Sequence, residues 1–152
     1  MIEASVVSAH VRSADLPFDS VVCFGSVDWW YHNRGHFDLQ IMRELTRQVP
    51  VLYVNSIGMR FPNPREGATF LTRIGRKLSS MRRGVVPVRE RFYVYSPFSV
   101  PGTVAQRLST PLLAAQTRRA MRQLGFRRPL LWISNPVAWG MVGQLCEVGL
   151  VY

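Results

Sequence analysis

Four short apolar runs punctuate this 152-residue chain, at Val21–Gly25, Pro50–Asn55, Phe92–Ser96 and Pro129–Ser134. Each is rich in β-branched and aromatic side chains without sustained alternation, the pattern of a strand buried on both faces. Between the runs, apolar positions recur at three- and four-residue steps instead. Phe37, Ile41, Met42 and Leu45 predict a first helix from Gly35 to about Gln48, and Phe70, Ile74, Leu78 and Met81 a second from Gly67. The segment Phe61-Pro62-Asn63-Pro64 ahead of it is excluded from helix by its two prolines. A long helical stretch spans Thr103 to Leu124, stopped by Gly125, and Pro111 predicts that it is kinked or split in two. Val137–Glu147 reads as a short helix and Gly149–Tyr152 as the opening of a fifth strand.

Strands alternating with helices predict an α/β fold: a Rossmann-like parallel sheet with helices on both faces. Residues 1–19 show no period and read as a loose N-terminal extension to a domain over 20–152. Ligands of such sheets bind beyond the carboxyl ends of the strands, so the loops there carry the candidate chemistry. The first, after Gly25, is crowded with aromatic and ionisable side chains. Asp28, His32 and His36 are candidates for proton handling when a hydroxyl attacks. Trp29, Trp30 and Tyr31 offer flat apolar faces for a sugar ring or acyl chain. Arg34, beside Gly35, suits a phosphate. Asn55 and Ser56, Ser96-Pro97, and Ser134-Asn135 follow the next three strands and converge on the same rim. The competing structural reading keeps the tryptophans as core contacts under the loop, His36 as a helix-start residue and His32 as a solvated one.

Charge adds a second theme. The chain carries a net charge of +10, divided as −2 over residues 1–59 and +12 over 60–152, and every basic residue but Lys77 is arginine. That excess points to an anionic partner. On the second helix Arg73, Arg76, Lys77, Arg82 and Arg83 flank the apolar stripe. They read as a solvated face, as contacts to an anionic membrane surface, or as nucleic-acid contacts. The last is disfavoured, because no binding module is recognisable and the aromatics are not interleaved with the charge. No glycine fingerprint for a dinucleotide or ATP follows the first strand, and the two cysteines and three histidines lack zinc spacing, so no metal is expected. Cys23 and Cys146 read as buried free thiols of a reducing compartment. Such thiols predict a cytoplasmic protein, at most peripheral on the inner membrane face, and no apolar run approaches the roughly 20 residues of a spanning helix.

The run Cys23-Phe24-Gly25 leading into Asp28-Trp29-Trp30-Tyr31-His32-Asn33-Arg34-Gly35-His36-Phe37-Asp38, followed by Val51-Leu52-Tyr53-Val54-Asn55-Ser56-Ile57-Gly58-Met59-Arg60, resembles the N-terminal half of bacterial group 1, family-four-like glycosyltransferases. Ser96-Pro97, Pro129–Trp132, Asn135-Pro136 and Leu150–Tyr152 are similar too. The resemblance implies one half of a two-domain GT-B architecture, the acceptor-side domain of an enzyme moving sugar from a nucleotide-sugar to a glycan or lipid acceptor in cell-envelope glycan biosynthesis. No cofactor is then expected in this chain, because the nucleotide-sugar donor would bind a C-terminal domain that these residues do not contain. The expectation is a domain truncated at its fifth strand and inactive alone. The alternative is a non-catalytic basic α/β module for anionic membrane or nucleic acid.

Overall fold

A computed structural model describes residues 16–30, 36–55, 84–98 and 106–152. Its centre is β1, Ser20–Phe24, in which all five residues are buried. Val21, Cys23 and their neighbours on one face, and Val22 and Phe24 on the other, each remove an apolar side chain from water at about 1.5–3 kcal/mol apiece. No position is left to face solvent, so alternation is absent from the sequence. β2, Val51–Val54, is buried throughout for the same reason.

β1 pairs in parallel with β2 on one side and with β5, Pro129–Ile133, on the other. β4, Phe92–Tyr95, runs parallel to β2, and β6, Gly149–Val151, runs parallel to β5. With β3, Val85–Arg89, the six strands are ordered β3-β4-β2-β1-β5-β6. The chain winds outward from β1 in one direction and then crosses back to β5 on the opposite side, which makes the β1/β5 boundary a topological switch point. This is the expected α/β, Rossmann-like sheet.

Helices cover both faces. α1, Phe37–Leu45, buries Leu39 and Met42 against Val21, Cys23, Val51 and Tyr53. α2, Gln106–Leu124, packs Leu113, Ala114, Ala120 and Met121 against Val22, Phe24, Leu52 and Val54. α2 runs through Pro111 as one helix, so of the two expected outcomes the split does not occur. Proline removes one amide and crowds the preceding turn, but Pro111 is exposed, and the buried stripe beyond it holds the helix to the sheet.

Two further elements differ from the sequence reading. β3 was not expected; it forms a hairpin with β4 in which Val85 faces Tyr95 and the register shifts between Pro87 and Arg89. Proline is confined to strand edges because it cannot donate to the ladder, and this edge strand is only partly buried. Its turn uses Arg91 at φ 57° in place of glycine or asparagine, so no hairpin signal is present. The segment after β5 is a 3-10 helix, Pro136–Met141, and not a helix to Glu147. Gly143 at φ 77° and Cys146 at φ 55° turn the chain out of helical geometry. That turn also leaves Cys146 exposed, in contrast to the buried Cys23.

Candidate functional site

Parallel pairing brings the carboxyl ends of β1, β2, β4 and β5 to one rim, and hydrogen bonds tie the residues that follow them together. Ser134 donates its backbone N–H to the Phe24 carbonyl at 3.0 Å, and Asn55 donates its own to Tyr95 at 2.8 Å. The Asn55 side chain, 1% exposed, bridges three loops. Its Oδ1 accepts the Trp29 amide at 2.9 Å, and its Nδ2 donates to Ser96 Oγ at 2.7 Å. Ser96 Oγ also accepts the Trp30 indole N–H at 3.4 Å. The first loop is thereby fastened to the ends of β2 and β4, and Trp30 is held half-buried at the rim.

The two tryptophans part company here. Trp29 is 4% exposed, with its ring packed on Phe92 at a centroid distance of 5.1 Å. The structure corrects its assignment as a ligand-facing aromatic: its ring belongs to the core and its backbone to the rim. Asn55 is likewise a brace whose amide is engaged inside the protein, not a group presented to a ligand. Asp28 is half-buried, and its Oδ1 accepts the Trp30 amide at 2.9 Å, an Asx turn that sets the angle at which Trp30 leaves the loop. His36 is exposed directly before α1 and makes no side-chain capping bond. Asn135 accepts the Val137 amide at 3.1 Å and caps the 3-10 helix, with Pro136 at its first position. Tyr31, His32, Arg34, Gly35 and Ser56 lie outside the described residues, as do the membrane-contact candidates Arg73, Arg76, Lys77, Arg82 and Arg83.

Beneath the rim lies a cluster that the sequence reading missed. Asp38, fully buried in the first turn of α1, accepts the Ser26 hydroxyl at 2.8 Å, the Ser26 amide at 3.1 Å and the Leu39 amide at 2.8 Å. The Tyr53 hydroxyl lies 3.2 Å from the same carboxyl oxygen and 3.1 Å from the Val27 carbonyl, sharing its proton between them. Burial, reinforced by the Asp38 charge, pushes the Tyr53 phenol far above its usual range, so it remains a donor. Burial likewise pushes the Cys23 thiol up against a weaker contact with Ser134. The Tyr53 ring crosses directly over Gly25, where a Cβ would meet it at 2.0 Å. The legible signals were an acid at the second helical position and a glycine where the strand breaks.

This cluster decides what the rim can receive. In Rossmann folds the amides after β1 and at the start of the following helix hold phosphate. Here Ser26 N–H and Leu39 N–H both donate to the Asp38 carboxyl group. These two amides are therefore engaged inside the protein and are not presented to an anion. Among the described residues, no group of three or more His, Cys, Asp or Glu side chains comes together to hold a metal ion, and no helix is long and apolar enough to cross a membrane. Comparison of the chain with protein-family models, with curated proteins and with solved structures finds no match.

Proposed function

We propose that this chain is the acceptor-side domain of a glycosyltransferase, holding a hydroxyl-bearing glycan or glycolipid headgroup while a nucleotide-sugar bound on a second domain donates the sugar. The observation that carries this reading is a half-buried Trp30 braced at the rim by its indole N–H to Ser96. An aromatic face suits the apolar side of a pyranose ring. With the Ser26 and Leu39 amides engaged by Asp38, a polyhydroxyl ligand resting on Trp30 is the class this reading favours. Asp28, beside Trp30, is the candidate on the described rim for accepting a proton from the acceptor hydroxyl, with His36 at the other end of the same loop.

The test is glycan-array binding by the 152-residue chain, repeated with Trp30→Ala. The proposal expects a small set of neutral glycans to be retained and their signal to fall at least about tenfold in the variant, the ~1.4 kcal/mol or more that a lost stacking face represents. Array signal that is absent, or unchanged in the variant, contradicts it.

A further inference from the structure

Between Gln106 and Arg128 the chain places six arginines and no acidic residue. Burial of Leu113, Ala114, Thr117, Ala120 and Met121 fixes which side of α2 meets the sheet. At 3.6 residues per turn, Leu112, Ala115, Arg119 and Arg122 then line its outward side over about 15 Å, and all four are exposed. Arg118 flanks this line and donates to the Gln144 carbonyl at 2.8 Å. Among the described residues the ion pair found is Arg47–Glu44, remote from this helix in sequence, and no described carboxylate pairs with Arg118, Arg119 or Arg122. Arg122 lies in the last helical turn, where the macrodipole favours a cation. The dipole effect fades within that turn, and Arg118 serves Gln144, which leaves Arg119 without such an account.

The other end of the same face is apolar. Leu112 is 39% exposed and Phe98 49% exposed. Phe98 is held against α2 through its backbone, which donates to and accepts from the Gln116 side chain at 2.9 Å each way. A continuous outward face thus offers two apolar side chains and then a cluster of arginines. Phosphodiester chains would satisfy the arginines alone. An anionic bilayer satisfies both parts, with headgroups for the guanidinium groups and the acyl boundary for Phe98 and Leu112.

We propose that the outward face of α2 docks the protein on an anionic lipid bilayer, using Arg119 and Arg122 with Arg118 beside them for attraction and Phe98 and Leu112 for insertion. This surface is distinct from the candidate rim and does not depend on what the rim binds. Flotation of the 152-residue chain with phosphatidylcholine vesicles, with and without phosphatidylglycerol, tests it. The expected result is flotation with the phosphatidylglycerol vesicles, reduced by salt, and weakened about twenty-five-fold in Arg119→Gln/Arg122→Gln, from roughly fivefold per arginine. Arg89→Gln, an exposed arginine on the sheet edge, serves as the control and should float as wild type. Phe98→Ser/Leu112→Ser should remove the binding that persists at high salt. Circular dichroism confirms the fold of each variant, and Arg122→Gln alone gives the fivefold step should the double variant unfold. Absence of flotation, with or without retention of a duplex oligonucleotide, overturns the proposal. Flotation unchanged by the arginine variants overturns it equally.

Discussion

Gly25 shows how one residue sets the geometry of the rim. The Tyr53 ring occupies the space a side chain would fill, and the ring's hydroxyl in turn reaches the Val27 carbonyl and Asp38. Gly25→Ala must displace the ring from a well-packed core, which costs about 3 kcal/mol at the upper end of overpacking penalties. In a Tyr53→Ala background the same substitution should cost less than ~1 kcal/mol, since the clash has gone, and a double-mutant cycle by urea denaturation measures the difference. Equal penalties in both backgrounds would contradict the geometry. At this scale the sequence was legible only in part. Asp28, Trp29 and Trp30 stood out by type, but type does not tell an inward tryptophan from a rim one. Trp29 turned inward because Phe92 offers it a ring contact, a partner sixty-three residues away in the chain that no local pattern reveals. Asp38 gives no local signal of its burial, because its partners Ser26 and Tyr53 come from the loop after β1 and from β2.

Among elements, β1 and β2 were the most readable, since a strand with both faces covered must be apolar throughout, and β4 and β5, buried on one face and half-buried on the other, were legible from their β-rich composition. β3 escaped because an edge strand tolerates proline and half-exposure. The helix over Gln106–Leu124 was legible from its period, and it continues through Pro111 because tertiary burial outweighs a local penalty. A different contact fixes where the sheet starts. Asp19 Oδ2 accepts the Arg127 and Arg128 amides at 3.0 Å each, clamping the entry of β1 to that of β5. Partial burial works against ionisation, but the Ser20 hydroxyl, these amides and the Arg128 charge outweigh it and hold the Asp19 carboxyl below its usual range. A depressed folded value stabilises the protein above the unfolded pKa of about 3.9, and that stabilisation is lost as pH falls through the folded value. Wild type should therefore exceed Asp19→Asn in melting temperature at neutral pH. The gap should close as pH drops below about 4. A gap independent of pH would show that the clamp does not depend on charge.

At the scale of the whole molecule, topology does the assembling. Five strands run parallel, so the loops at their carboxyl ends must share an edge, and the convergence of Asn55, Ser96 and Trp30 follows from that arrangement together with their hydrogen bonds. The α/β architecture was legible from periodicity alone. The chemistry of the rim was not, because it depends on which side chains the fold consumes internally and which it leaves half-exposed. The central claim is that Trp30 forms the wall against which a neutral saccharide rests. Its most direct measurement is the set of ¹⁵N indole NMR signals of the tryptophans during titration with glycans retained on the array. The account predicts that the Trp30 indole shifts with saturation, while Trp139, exposed beside Tyr152 near the β6 edge, does not. Shifts confined to Trp139, or a Trp30 signal unmoved at saturating glycan, would contradict it.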